Sequence, residues 1–483
     1  MNGPIRRLAG VVALLFASLL ISTTYIQVVD AASLKNKPTN VRTLLKEYAR
    51  QRGPITVGGE AIAESVPSND QYKYQRTYPG GKIYAPVTGY YSTVNGPHGI
   101  EATEDGLLSG TADQLFYRRI SDLLTGKEPA GAQVELTINP KAQQAAWDAL
   151  GDQRGAVVAL DPKTGAVLAM VSKPSYDPDE LATHNRADAL AAGKKLLADD
   201  DDPLINRAIA GKLYPPGSTF KLITSAAALS NGYETDSLLD GPASLDLPQT
   251  TANLDNDDGQ ACGPNNKTTL IHALQISCNT AYASLGMQLG PQKMLDQAEK
   301  FGFNVQLTIP LKVSPSTFPD NLNQPQLAQS SIGQFEDRVT PLQMAMVSAG
   351  IANGGEVMRP NLIRRVVTDQ QKVIQEPEPQ KLSEAVTGDV AQKLTTMMEA
   401  VVSDGTGRRA QIDGVKVAGK TGTAQHAVGA APHAWFTCFA PADDPQVAVA
   451  VVVEDGGKLG NEAFGGTVAA PIAKAVMEAV LNK

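Results

Sequence analysis

Three short groupings of residues carry groups that could perform acyl transfer. The first is Ser218-Thr219-Phe220-Lys221, within "LYPPGSTFKLITSAAALSNG" (213–232). If a helix begins near Gly217, positions three apart share a face, and the hydroxyl and amine are neighbours. A serine hydroxyl is a weak nucleophile at neutral pH and needs a base. Lysine can be that base only if burial or nearby positive charge lowers its pKa. The run Leu222, Ile223, Ala226, Ala227, Ala228, Leu229 is apolar almost all round and implies a buried helix. Ser218 at its start would feel the positive end of the helix dipole. Taken alone, the blander reading of an N-cap serine and a snorkelling lysine is the stronger one.

The second grouping is Ser277-Cys278-Asn279, in "LIHALQISCNTAYASLG". It falls between two helical stretches, where a short connection can point side chains into a cleft. The serine supplies a hydroxyl that can shuttle a proton. The asparagine amide can hold the lysine and bind a substrate carbonyl. The third is Lys420-Thr421-Gly422-Thr423, in the strand-like run "VKVAGKTGTAQ". Gly419 and Gly422 flank the Lys-Thr pair, and glycine in a strand often marks the close approach of another backbone. An edge strand here could pair with an extended peptide, while Lys420 and the threonine hydroxyls hold a carboxylate. Alone, the plainer reading of an ordinary surface strand is the stronger one.

The elements around these groups form a recognisable plan. "GAQVELTINPKAQQAAWDAL" reads as a strand followed by an amphipathic helix. "GAVVALDPKTGAVLAMVS", from Gly155, reads as two apolar strands joined by the turn Asp-Pro-Lys-Thr-Gly. A long helical region, punctuated by Asn-Gly and Gly-Pro pairs, is expected from about 204 to 300. Strand-like runs then follow in "VKVAGKTGTAQ", "HAWFTCFAP" and "QVAVAVVVEDG", before a last helix, "TVAAPIAKAVMEAVLNK". Strands at both ends with helices between suggest one sheet assembled from distant segments, with helices on both faces. The acidic run Asp199–Asp202 reads as a solvated loop.

Composition narrows the function. At 483 residues, two or three domains are expected. The net charge of −8 argues against nucleic-acid binding. Three cysteines are too few for a disulfide scaffold, and no Cys-x-x-Cys or His/Cys cluster suggests a metal. Arg6 and Arg7 precede Leu8–Val29, an uncharged run of 22 residues, enough to span a bilayer. The positive charge before it places residues 1–7 in the cytoplasm and residues 30–483 outside. A cleaved signal peptide is the alternative, although its apolar stretch is usually shorter. Outside the membrane, Cys262 and Cys278, sixteen residues apart, could form a disulfide that braces the second grouping; two buried free thiols is the alternative. Cys438, in an apolar strand, reads as a core residue.

Ser-x-x-Lys, Ser-x-Asn and Lys-Thr-Gly occur in that order on a helix, a loop and a strand. This set resembles that of the penicillin-binding proteins and serine β-lactamases. "GAVVALDPKTGAVLAMVSKPSYDP", "INRAIAGKLYPPGSTFK", "VAGKTGTAQ" and "HAWFTCFAP" look like the transpeptidase domain of class B, monofunctional penicillin-binding proteins, and the actinobacterial penicillin-binding protein A group in particular. "RTYPGGKIYAPVTGYYS" and "GIEATEDGLLSG" are similar to that family's membrane-proximal module. "RGPITVGG" (52–59) matches only the start of the family's usual Arg-Gly-x-Ile-x-Asp-Arg motif, and Cys278 stands where other members carry Asp.

The resemblance implies a five-stranded antiparallel sheet flanked by helices over residues 151–483. A β-rich pedestal module over 30–150 and a membrane anchor over 8–29 would precede it. It implies that Ser218 attacks the carbonyl between two terminal D-alanines of a peptidoglycan stem, with Lys221 as base. Ser277 would pass the proton to the leaving D-alanine. Asn279 would orient Lys221 and contact the substrate amide. Lys420 would depress the pKa of Lys221 and anchor Ser277. Thr421 and Thr423 would bind the terminal carboxylate beside Gly422, and the backbone N–H groups of Ser218 and Thr423 would form the oxyanion hole. β-Lactams would acylate Ser218, a partner would polymerise the glycan, and no cofactor is required. A D,D-carboxypeptidase and a β-lactamase-type hydrolase share these motifs; a β-lactam sensor or scaffolding subunit is the non-enzyme alternative.

Overall fold

The computed structural model describes residues 2–35, 45, 47–126, 130–427 and 429–482. The chain begins with the helix Asn2–Thr24, continued by one wider turn over Tyr25–Val29. The stretch Gly3–Val29 is long and apolar enough to cross a membrane, and none of it is buried.

Two sheets organise the rest. The first runs in the order Val373–Gln375, Ile363–Val367, Gln133–Leu136, Ile55–Val57, Glu60–Pro67, Tyr74–Thr77. Two of its strands therefore return from far downstream to complete the sheet of the N-terminal segment. Glu101, from "GIEATEDGLLSG", is fully buried beside it and accepts ion pairs from Arg52 at 2.9 Å and Arg76 at 2.5 Å. A buried carboxylate requires such partners, because desolvating an unpaired charge is expensive. Arg52 is the first residue of the shortened "RGPITVGG" motif, so the part retained here is the part that makes the buried ion pair.

The second sheet is the five-stranded antiparallel one expected. Its order is Ala418–Ala424, His433–Ala440, Val447–Val453, Gly155–Leu160, Val167–Lys173. Every residue of Val447–Val453 is buried, which requires cover on both faces. Side chains alternate across a strand, so Val447, Val449, Val451 and Val453 join one core, while Ala448, Ala450 and Val452 join the other. Helices Gly465–Leu481 and Pro140–Leu150 cover the first face, and Pro341–Ala352 packs on the second. The last of these is apolar all round and almost wholly buried, as such a helix must be. Thr340 caps it by accepting from the Gln343 N–H, ahead of a proline at its first position. Cys438 is a buried free thiol in this sheet.

The region 204–300 departs from the long helical reading. It holds the helices Lys221–Leu229, Leu270–Gln275, Asn279–Leu289 and Pro291–Lys300, but residues 238–269 form short paired strands. Leu238–Asp240 pairs with Lys267–Thr269, and Ser244–Asp246 with Asn253–Asp255. The Asn, Asp, Gly and Pro content of "DGPASLDLPQTTANLDNDDGQACGPNN" favours turns over helix.

Candidate active site

Ser218 lies on a tight 3-10 turn, Gly217–Phe220, and the α-helix proper begins at Lys221 and runs to Leu229. All nine helical residues are buried. The turn forms because Gly217 takes a φ of +54°, where a side chain is disfavoured. A β-carbon there would also come 2.8 Å from the Thr423 carbonyl. Gly217 donates its N–H to the Gly333 carbonyl at 2.8 Å, which fixes the turn against the loop after Gln324–Ser330. The Trp435 indole donates to the Pro215 carbonyl and ties the approach to the sheet.

The lysine and the second grouping meet directly. Lys221 Nζ donates to Asn279 Oδ1 and to the Ser277 carbonyl, both at 2.7 Å, and reaches the Ser277 hydroxyl at 3.3 Å. Ser277 sits in the left-handed region (φ +64°), and Cys278 caps the helix that Asn279 begins. The connection is thus a single strained turn, and it directs Ser277 and Asn279 at the lysine. Lys420 Nζ donates to the same Ser277 hydroxyl at 2.9 Å and to the Thr421 carbonyl at 2.9 Å. The three groupings therefore converge through side-chain contacts. Ser218 Oγ has no hydrogen-bond partner among the described residues, in a residue only 7% exposed.

Electrostatics follow from burial. Lys221 and Lys420 are fully buried. Burial, and then the charge of Lys420, push the Lys221 amine well below its ordinary value, while Asp257 opposes them. Burial pushes Lys420 down to about 7, again opposed by Asp257. A buried neutral amine is competent as a base near neutral pH.

Thr421, Gly422 and Thr423 lie on the sheet's edge strand, with Gly422 against Thr219 and the Pro216 carbonyl. Thr421 Oγ1 hydrogen-bonds Thr406 Oγ1 at 2.6 Å. Cys262 and Cys278 are disulfide-bonded, with Cα atoms 6.0 Å apart. The bond fastens the strand-rich excursion 238–269 to the second grouping.

Several members were not evident from sequence. Asn256 Oδ1 accepts the backbone N–H of Asn279 at 2.9 Å, and Asp257 Oδ1 accepts from Asn279 Nδ2 at the same distance. Both belong to the excursion misread as helix, so their proximity depends on a fold that local pattern does not reveal. Thr406 and Gly333 reach the site from loops that carry no motif of their own.

No metal was expected. Among the described residues, His426, His433 and Asp455 have ligand atoms within 4.8 Å of one another. The two imidazoles stack 4.0 Å apart and within 8° of parallel, so their in-plane lone pairs do not meet at one point. His433 Nδ1 already accepts the Asp455 N–H at 3.1 Å.

Comparison with known proteins agrees with this architecture. The penicillin binding protein transpeptidase domain matches residues 155–478, and the penicillin binding protein A dimerisation domain matches residues 52–134. The peptidoglycan D,D-transpeptidase PbpA of Mycolicibacterium smegmatis is 45% identical over 100% of both chains. The ceftriaxone acyl-enzyme structure of penicillin-binding protein A from M. tuberculosis superposes with a TM-score of 0.87 at 43% identity, covering 90% of this chain and 100% of that one. The penicillin G acyl-enzyme of the same protein gives 0.85 at 42% identity, covering 89% and 100%. The chain belongs to the penicillin-binding protein transpeptidase family, as a class B member of the penicillin-binding protein A type.

Proposed function

We propose that the chain is a peptidoglycan D,D-transpeptidase working through a Ser218 acyl-enzyme. The observation that carries the assignment of roles is the hydrogen-bonded chain from Lys420 through Ser277 to Lys221, which ends one helical turn from Ser218. Lys221, neutral through burial and the nearby charge, takes the Ser218 proton. Ser218 Oγ bonds to the carbonyl carbon of the penultimate D-alanine. The proton passes by way of Ser277 to the leaving nitrogen as the C–N bond breaks and D-alanine departs. Asn279 holds Lys221 in place and contacts the substrate amide.

Thr421 and Thr423 receive the terminal carboxylate. The backbone N–H groups of Ser218 and Thr423 hold the developing oxyanion, and loss of one such donor costs about 3–4 kcal/mol. An amine of a neighbouring stem then attacks the ester carbonyl carbon, the bond from that carbon to Ser218 Oγ breaks, the amine's proton passes through Lys221 to Ser218 Oγ, and the cross-link forms. β-Lactams stop at the ester, as in the acyl-enzymes of the M. tuberculosis protein.

The anchor Gly3–Val29 supports a single-pass membrane protein with the catalytic domain outside. Residues 30–150 serve as a pedestal and 151–483 as the catalytic domain, alongside a partner that polymerises glycan. Incubation with lipid-linked pentapeptide and a glycan polymerase tests this function. Cross-linked dimer is expected; steady D-alanine release with no dimer would make the protein a carboxypeptidase.

A further inference from the structure

Two clefts meet at Ser218. One, of about 490 Å³, is lined by Thr406, Arg408 and Thr421 and lies on the side assigned to the terminal carboxylate. The other, of about 480 Å³, is lined by Thr423, Gln425 and Asn279, and by Asp255 and Asp257 beside Asn279, whose Nδ2 donates to the Asp255 carbonyl at 3.1 Å and to Asp257 Oδ1 at 2.9 Å. Among the described residues the two aspartates are the only carboxylates that line it, and no basic residue lines it. Asp255 is exposed, and its carboxylate has no hydrogen bond or ion pair among the described residues. Asp257 accepts from Asn279 Nδ2 through one oxygen, the other has no hydrogen bond among the described residues, and its charge also acts on the buried Lys221 and Lys420. The buried, unpartnered Ser218 hydroxyl opens on this same cleft, so a molecule filling it lies against the nucleophile.

We infer that this second cleft is a cation site, and that Asp255 and Asp257 read a free primary ammonium on the donor stem. The inference rests on the transpeptidase reading above. Cross-linking joins two like stems, one giving a carbonyl and the other an amine. A donor that has not already served as acceptor therefore carries an unreacted amine of its own. The departing D-alanine does not hold it, so it lies upstream of the scissile bond. The upstream chain runs past Asn279, which is where the acidic wall stands. An ammonium there gains charge-assisted hydrogen bonds to the exposed Asp255 carboxylate and to the second oxygen of Asp257. The site thus favours donors whose side-chain amine is still free over those already linked or capped.

The test uses two peptides ending in D-Ala-D-Ala, identical except that the upstream side-chain amine is free or acetylated. Acylation of Ser218 by each is followed by mass spectrometry, with penicillin G as a reference acylating agent for every variant. The free-amine donor should show a kcat/KM about five- to tenfold higher. Asp255→Asn, normalised to its own penicillin rate, should shrink that ratio to below about twofold, and Asp255→Glu should restore it. Equal rates for the two donors, or an unchanged ratio in Asp255→Asn, would overturn the cation site. Failure of penicillin G to acylate the wild-type protein would instead overturn the underlying reading.

Discussion

Lys420 donates a hydrogen bond to the Ser277 hydroxyl at 2.9 Å, joining groups 143 residues apart in the chain. The same hydroxyl lies 3.3 Å from Lys221, so two fully buried lysines share one small polar group. Neither can be charged without affecting the other. This coupling underlies the proposed role of Lys221 as base, and it sets the direction of the first two predictions.

Lys420→Met removes the charge that helps depress the Lys221 pKa. The Lys221 pKa should rise, because burial alone remains to hold it down. The base must be neutral to act, so the acid limb of the penicillin acylation profile should move to higher pH. The rate at pH 7 should fall by about a hundredfold or more, since an anchored proton shuttle is lost as well. Stopped-flow acylation across pH 5–10 checks this; an unmoved limb would contradict it.

Asp257→Asn should act in the opposite direction. Asp257 raises the pKa of both lysines, so its loss should lower them and move the acid limb to lower pH. Asparagine keeps an oxygen that can accept from Asn279 Nδ2, so the positioning hydrogen bond survives the change. The same pH series gives the answer, and limb shifts of equal sign in the two variants would refute the electrostatic account.

The three groupings that converge were legible in the sequence because the proposed chemistry demands fixed residue types at short spacing. The five-stranded sheet was legible because its strands are strongly apolar and end in marked turns, as in Asp-Pro-Lys-Thr-Gly. The excursion 238–269 was not. Its strands are three residues long, held by pairing across distant turns and by the Cys262–Cys278 bond rather than by periodicity. Asn256, Asp257 and Thr406 gain their positions only through tertiary structure, so nothing local marks them.

Gly333→Ala should disable the nucleophile turn from outside the motifs. Gly333 has φ +76°, and a β-carbon there would stand 2.1 Å from the Gly217 carbonyl. The turn must shift, and displacement on the order of 1 Å can cost about a hundredfold in rate. Acylation should collapse while circular dichroism stays native; near-normal acylation would show that the turn is not held by this contact.

Cys262→Ser should loosen the excursion that carries Asn256 and Asp257. Loss of a crosslink over a loop of this length costs about 3 kcal/mol of stability. The melting temperature should drop, and acylation should slow because Asn279 loses its supports. Thiol reagents should label two further cysteines in the wild-type chain only after reduction and denaturation. Acylation at the wild-type rate in Cys262→Ser would separate the disulfide from the site.

The central claim is that Ser218 is the nucleophile. Intact-mass analysis of the soluble domain incubated with penicillin G measures it directly. One covalent adduct is expected on the wild-type protein, with none on Ser218→Ala, whose buried environment should tolerate the loss of a single hydroxyl. An adduct that persists in Ser218→Ala would place the nucleophile elsewhere and contradict the account.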